Sequence, residues 1–383
     1  MLSEPTRVLH VFGRLGRGGA PMRTLEVLRH LDPRRYALVF CTLSDVVGDF
    51  QRDIEASGGR VARLPYGLVR FPGRFRQLLR SERFGVVHSH VYYQSGNILR
   101  LAARCGVPVR VAHFRSSRES AKATLRRRLQ RVVLRRWIDR FATDILAVSE
   151  EAMAEAWGQS WRQDPRCRVV YNGLDPQRFA APSDRQSVLQ EFRLPQDAYL
   201  CIHVGRLSAA KNHDRLVRIF AALALRRPEA RLLLIGWGEK RIEDALARRI
   251  EELGIGHLVC RCGERSDVPR LLKAADVLVF PSLWEGLPGA VLEACAAGTP
   301  VVASDLPSIR EIASRLGGIE LVSLDESDQA WAMRASCPLV VRNAGRGGSV
   351  RLPLGESVFG IGTCVDAMCS IWDRPPGGLP VGD

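Results

Sequence analysis

The stretch PSLWEGLPGAVLEACAAGTPVVAS, residues 281–304, decides how this chain is read. It follows Asp276-Val-Leu-Val-Phe280, an apolar run that reads as a short buried strand. Pro288 suits the first position of a helix, and Gly298 suits the residue just past its end. The order is therefore strand, loop, helix, with Glu285 on the loop and Glu293 inside the helix. Free backbone N–H groups at such a helix start favour an anion such as a diphosphate. One carboxylate can face a ligand at the helix mouth while the other reaches hydroxyls further along it. A sugar nucleotide offers hydroxyls, a diphosphate and more hydroxyls in that order.

Working outward, strand-like runs alternate with amphipathic helical runs on both sides of a break. Val8–Phe12, Ala37–Thr42, Arg60–Leu64, Val86–His88, Val109–His113 and Ile145–Val148 read as strands of one parallel sheet with covering helices. Residues 169–179, VVYNGLDPQRF, interrupt the pattern with Asn-Gly and Asp-Pro turn signals. It restarts with Leu200–Val204, Arg231–Ile235, Leu258–Arg261, Asp276–Phe280 and Pro300–Ala303. The expectation is an α/β chain of two doubly wound, Rossmann-like domains facing a cleft, one over 1–173 and one over 174–355. Ligands of such sheets bind outside the carboxyl ends of the strands.

The composition fits this frame. A chain of 383 residues is long enough for two domains with ordinary cores. No run of eighteen apolar residues is present, so no membrane-spanning helix is expected. The N-terminal MLSEPTRVLHVF runs straight into a strand and does not look like a signal peptide. Ten cysteines without repeated spacing read as reduced thiols of a cytoplasmic protein. A net charge of +15 attracts nucleic acid, anionic lipid or phosphorylated ligands without choosing among them.

Several loops carry candidate chemistry. HVGRLSAAKNHDRL, residues 203–216, puts Arg206 and Lys211 between a strand and the next helix. Alone they would be solvated surface charges. With the two-glutamate segment downstream, they read as cations for a leaving diphosphate. Gly18 and Gly19 follow the first strand and let backbone N–H groups approach a ligand, or they make a plain tight turn. Their spacing is not GxGxxG, and no acid ends the second strand, which argues against a nicotinamide fold. Gly236-Trp-Gly-Glu239 either borders a nucleotide or is ordinary turn chemistry.

In GVVHSHVYYQSGN, His88 and His90 share one face of an extended segment. His88 reads as a satisfied core residue. His90 lies at the strand's carboxyl end, placed to bond a sugar hydroxyl or take a proton from an acceptor. A His-x-His pair can bind metal, but no further ligand is evident nearby in the sequence, so no metal is expected. The arginine-rich run from Thr124 to Phe141 places Leu125, Leu129, Val132, Val133, Ile138 and Phe141 near one face. It is either a solvated helix packed by that stripe or a helix lying on an anionic membrane surface. Nucleic-acid binding is not expected, because the arginines lack an interleaved aromatic platform.

Together these residues resemble glycosyltransferase family 4, the retaining sugar-nucleotide enzymes of the GT-B fold. The resemblance rests on Gly18-Gly19-Ala20, His90, Asn172-Gly173 with Asp175 and Phe179, Gly205-Arg206 with Lys211-Asn212, and Glu285 to Glu293. It covers about residues 7–315 and, weakly, 356–372. It implies a nucleotide-diphosphate sugar held mainly by the second domain and a lipid-linked or glycan acceptor held mainly by the first. Arg206 and Lys211 would hold the diphosphate and Glu293 the ribose hydroxyls. Glu285 and His90 would lie by the donor sugar, with Gly236, Gly286 and Leu287 lining the donor. No cofactor or metal is implied. Family acceptors are often lipid-linked, which favours a peripheral membrane seat for residues 124–141. Residues 356–374 look like the family's helix returning to the first domain. Residues 337–355, rich in Gly, Arg and Pro, depart from the family and read as irregular. That departure keeps an inactive scaffold of the same fold in view, and the same two-domain architecture leaves a sugar-nucleotide epimerase as a further alternative.

Overall fold

The structure is a computed structural model describing residues 4–16, 19–45, 50–67, 69–116, 124–338, 355 and 357–374. It divides into two units, residues 1–174 with 355–383, and residues 175–354.

Seven strands build the first unit: β1 (Thr6–Phe12), β2 (Tyr36–Thr42), β3 (Arg60–Arg63), β4 (Val86–Ser89), β5 (Val109–Phe114), β6 (Asp144–Ala147) and β7 (Cys167–Val169). They form one parallel sheet in the order β3-β2-β1-β4-β5-β6-β7. Helices cover both faces, so the central strands are buried along most of their length rather than alternating, and the polar His10, His88 and His113 are buried too. Val8, Leu9, Val11 and Phe12 of β1 are all buried. Strand order reverses between β1 and β4, and the loops leaving these two strands diverge at the carboxyl edge. β7 is an edge strand just before the turn-rich break. Three residues with an arginine in the middle give no readable strand pattern.

The helix Ile361–Trp372 belongs to this unit. It buries Ile361, Cys364, Met368, Ile371 and Trp372 in the unit's core. Gly173 is required for this docking, since a Cβ there would lie 2.7 Å from Cys364 Cβ and 2.9 Å from Ile361 Cα. Polar ties complete it. Tyr36 Oη donates to Asp373 at 2.6 Å, Arg35 pairs with Asp373 at 2.7 Å, and Arg374 pairs with buried Asp144 at 2.7 Å.

The second unit has six parallel strands: β8 (Tyr199–Val204), β9 (Ala230–Ile235), β10 (Val259–Gly263), β11 (Val277–Phe280), β12 (Val301–Ser304) and β13 (Ile319–Val322). Their order is β10-β9-β8-β11-β12-β13, so the reversal falls between β8 and β11. β13 is half-buried and carries Glu320, which hid it from the sequence pattern. Trp331 fills the core beneath the helix His213–Arg226, and its indole N–H donates to the Ser323 carbonyl at 3.0 Å. Residues 339–354, most of the segment read as irregular, lie outside the described residues.

The helix Leu125–Phe141 corrects the expected apolar stripe. Leu134 and Ile138 face inward, whereas Leu129, Val132 and Val133 are 64%, 48% and 44% exposed. Arginines supply the missing packing. Arg131 lies 4.6 Å over the Tyr93 ring and bonds its hydroxyl at 3.0 Å. Arg135 lies 4.7 Å over Trp157 and bonds its carbonyl at 2.5 Å. Guanidinium groups on aromatic faces, with their stems laid along apolar surface, anchor a helix without an apolar residue at each inward position.

Candidate functional site

In the second unit the two loops flanking the strand-order reversal carry the predicted charges. Lys211 follows β8 in a short turn, Ala209–Lys211, and Glu285 follows β11. Lys211 Nζ meets Glu285 Oε1 at 2.6 Å, with the side chains only 16% and 12% exposed. The ammonium also sits 4.4 Å from the centre of the Phe280 ring. Backbone ties hold the loops in register. Leu283 N–H donates to the Ala210 carbonyl at 2.7 Å, and Asn212 Nδ2 donates to the Pro281 carbonyl at 3.1 Å. Asn212 adopts a left-handed conformation, φ 53°, which turns the chain into the helix His213–Arg226. Arg206 is exposed and makes no ion pair among the described residues.

Gly205 and Gly236 are needed for close approach. The Lys211 stem crosses Gly205, where a Cβ would lie 3.1 Å from Lys211 Cε. A Cβ on Gly236 would lie 2.0 Å from the Gly205 carbonyl oxygen, and Gly236 has φ +139°. Gly236 therefore supports the Arg206 loop through backbone packing. A cavity of about 330 Å³ adjoins this contact, lined in part by His203, His213, Gly236, Glu243 and Arg261.

Pro288 caps the helix Gly289–Ala297 rather than opening it, and left-handed Gly298 closes it. Gly286 and Leu287 are buried under the loop, and Glu293 is half-buried on the helix. Three polar atoms near these elements are buried without a partner: Ser282 Oγ, His203 Nε2 and His213 Nδ1. His203 Nδ1 faces the Val279 carbonyl at 2.9 Å, so it carries the proton and leaves Nε2 as an acceptor. Burial first, then the neighbouring charges, lowers His203 well below the usual range and His213 to about 4. Both are neutral at physiological pH.

In the first unit, His90 lies just past β4 at the reversal between β1 and β4. It is half-buried in a cluster of four histidines drawn from three adjacent strands. Arg115, just past β5, donates from Nε to His90 Nδ1 at 3.3 Å. That bond fixes the His90 proton on Nε2, which faces His10 Nδ1 at 3.0 Å. Trp372 donates to His88 Nδ1 at 3.4 Å, so His88 Nε2 carries its proton toward His113 Nδ1 at 3.0 Å. Each chain of bonds ends on a buried N–H without a partner, His10 Nε2 and His113 Nε2. Phe12 stacks on His90 at 4.5 Å, and His90 stacks on His88 at 4.6 Å. Desolvation dominates here and holds all four imidazoles neutral, with His10 lowered to about 3. Two residues on, Tyr92 has φ 51°, a strained conformation for a bulky side chain.

His10 supplies a third imidazole that the sequence reading did not place beside His88 and His90. Ligand nitrogens of the three lie within 4.8 Å of one another. Their rings are inclined by only 10° to 24°, so the lone pairs run in nearly parallel planes instead of converging. The Arg115 charge beside them also opposes a cation. Gly18 lies outside the described residues. Gly19 is exposed as the first residue of the helix Gly19–His30, and a Cβ there would meet nothing within 4 Å.

Comparison with known proteins follows the same division. Residues 18–173 match the Glycosyl transferase 4-like domain, and residues 184–345 match Glycosyl transferases group 1. The chain is 32% identical over 339 residues to the putative glycosyltransferase EpsF of Bacillus subtilis (strain 168), covering 87% of each protein. The chain belongs to glycosyltransferase family 4.

This glycosyltransferase is also 29% identical over 241 residues to the Escherichia coli UDP-Gal:alpha-D-GlcNAc-diphosphoundecaprenol alpha-1,3-galactosyltransferase, over 60% of each chain. Its fold matches Anabaena Alr3699/HepE in complex with UDP and glucose, with a TM-score of 0.80 at 19% identity over 97% of this chain and 100% of that one. The two Rossmann-like units are those of the GT-B fold. Of the predicted residues, the glycosyltransferase brings Lys211 directly to Glu285 and packs Gly236 under the Arg206 loop. Glu293 is half-buried on the helix Gly289–Ala297. Residues that sequence reading missed are Arg115, His10 and His113 in the first unit, and His203, His213 and Ser282 in the second. Arg115, His113, His203 and Ser282 share one signal, a polar residue at or just past the end of an apolar strand, which only the strand order makes meaningful, whereas His10 lies inside β1 and His213 opens a helix.

Proposed function

We propose that this glycosyltransferase moves a hexosyl or related sugar from a nucleoside-diphosphate donor to a lipid-linked or growing glycan acceptor, with retention, in cell-surface polysaccharide assembly. The Lys211–Glu285 pair beside exposed Arg206, at the strand-order reversal of the second unit, carries this reading. Arg206 and Lys211 stabilise the charge that grows on the leaving diphosphate as the anomeric bond breaks. Glu285 fixes the Lys211 head and offers its second oxygen to a sugar hydroxyl. Glu293 takes the ribose hydroxyls. Two cations on one loop supply the charge otherwise brought by a divalent ion. Retention follows if the acceptor hydroxyl attacks on the face that the diphosphate leaves, with its proton passing to the departing phosphate oxygen. In the first unit Gly19, open to solvent, leaves room for a ligand to approach the backbone.

The helix Leu125–Phe141 supports a seat on an anionic membrane surface. Leu129, Val132 and Val133 are exposed at i, i+3 and i+4, with exposed Arg126, Arg128 and Arg136 around them. Among the described residues, no helix is long and apolar enough to cross a membrane. This reading places the chain at the cytoplasmic face of the cell membrane.

The test is a transfer assay with a panel of UDP-, GDP-, ADP- and TDP-sugars and a polyprenyl-diphosphate-linked sugar, with the new linkage read by NMR. The reading predicts one preferred donor, a product with the donor's anomeric configuration, and loss of turnover in Glu293→Gln. Full turnover in that variant would remove the site assignment, and an inverted product would remove the mechanism.

A further inference from the structure

Arg115 has no role in the reading above. It lies just past β5, beside the β1–β4 reversal. Its Nε donates to His90 Nδ1 at 3.3 Å, and its Nη1 donates to Asn172 Oδ1 at 2.6 Å. Both partners are neutral. Among the described residues no carboxylate pairs with it. Glu26 is taken up by Arg23 at 2.6 Å. The histidines around it are neutral, burial holds the nearby Cys364 thiol protonated, and Arg23 adds a further positive field.

A half-buried guanidinium without a counter-charge is costly, and proteins normally pair such a group. Here two neutral acceptors aim the fork and leave its Nη2 edge without a partner among the described residues. The residue is half-buried at this edge, whereas His10 Nε2 and His113 Nε2 are fully buried and without partners. The histidine chain adds rigidity, because the Arg115–His90–His10 bonds hold only in one tautomer. The whole arrangement keeps one aimed cation open at the carboxyl edge of the sheet, where ligands of such folds bind.

The geometry points to Arg115 as an anion-binding residue of the first unit, taking a phosphate or diphosphate oxygen of a substrate. A planar fork fixed on one side and open on the other suits bidentate capture of such a group. The diphosphate of a lipid-linked acceptor and that of the sugar-nucleotide donor present the same chemistry. The inference rests on the glycosyl-transfer reading for its substrates, while the binding itself can be tested without turnover.

The experiment uses the full chain with Arg115→Gln and Arg115→Lys. Thermal unfolding is followed against inorganic pyrophosphate, with UDP held saturating to fill the nucleotide site. Wild type is expected to gain stability with pyrophosphate, and Arg115→Gln to lose apparent affinity by about ten- to a hundredfold. Arg115→Lys should keep part of the response. Without ligand, Arg115→Gln should unfold no lower than wild type, since it removes an uncompensated charge. Steady-state kinetics then separate the sources. A raised KM for a polyprenyl-diphosphate-linked acceptor with an unchanged KM for the sugar nucleotide assigns the acceptor, and the reverse assigns the donor. An unchanged pyrophosphate response in Arg115→Gln, with both KM values unchanged, would overturn the inference. Failure of UDP to stabilise wild type would count against the donor site instead, and the pyrophosphate titration without UDP would still report on Arg115.

Discussion

Lys211 and Glu285, 74 residues apart, meet at 2.6 Å across the strand-order reversal of the second unit. Each is held by a loop leaving a different strand, so the pair forms only if both loops fold correctly. Lys211→Met should lower kcat/KM by about two to three orders of magnitude, the size of one lost transition-state contact. It should also cost about 3 kcal/mol of stability, because Glu285 is left largely buried and unpaired. Lys211→Met with Glu285→Gln should regain much of that stability and none of the activity. Urea unfolding and steady-state kinetics on the three variants check this. Recovered activity in the double variant would assign the pair to folding alone.

Two glycines should behave in opposite ways. Gly236→Ala forces a methyl within 2.0 Å of the Gly205 carbonyl and strains a φ of +139°. A loss of about 3 kcal/mol or more is expected, with weakened nucleotide binding as the Arg206 loop shifts. Gly19→Ala meets open space and should change stability by less than about 1 kcal/mol. A loss of substrate affinity in Gly19→Ala without a loss of stability would mark a ligand at that backbone. Melting curves and KM values together distinguish the two.

Stability should fall in acid from a defined pH. Six buried or half-buried histidines have folded-state values below the unfolded value, with His10 near 3 and His213 near 4. For a depressed group the stability is fully present above the unfolded pKa, about 6.5, and is lost as the pH falls toward the folded value. The histidine contribution to the unfolding free energy should therefore be level above about pH 7.5 and decline below about 6.5, by about 1.4 kcal/mol per pH unit for each such histidine. His10→Asn should reduce that slope by one histidine's worth. Urea titrations at pH 7.5, 6.5 and 5.5 measure it, and a slope unchanged in the variant would contradict the burial argument.

The C-terminal helix should be indispensable to the first unit. Trp372 is 2% exposed, meets His10 and Tyr36 edge-on, and donates to His88. Trp372→Ala should cost about 3–5 kcal/mol, as for other buried tryptophans. It should also unlock the His88–His113 bond. Equal stability of Trp372→Ala and wild type would show that the helix is only loosely attached.

Much of this was legible in the sequence because the chemistry follows strand ends. Glu285, Arg206, Lys211 and His90 each sit just past an apolar run, and a doubly wound sheet makes that the ligand edge. The returning helix was expected over 356–374 from the family resemblance and spans Ile361–Trp372, whereas the Gly173 contact could not be read, because a glycine's need for space depends on what packs against it. Arg115, His10 and His113 stayed hidden because they converge through the order of β1, β4 and β5, across as many as 80 residues between His10 and His90. The face of the helix Leu125–Phe141 was misjudged because its arginines, not its valines, meet the aromatic residues beneath.

The central claim is that the second unit binds a nucleoside diphosphate through the loop after β8. Titration calorimetry of UDP against wild type and Arg206→Ala tests it most directly, because exposed Arg206 can be removed without disturbing the fold. The prediction is binding to wild type, at least tenfold weaker binding to the variant, and identical melting of the two free proteins. Equal UDP affinity for both, or no affinity of wild type for UDP, GDP, ADP or TDP, would contradict it.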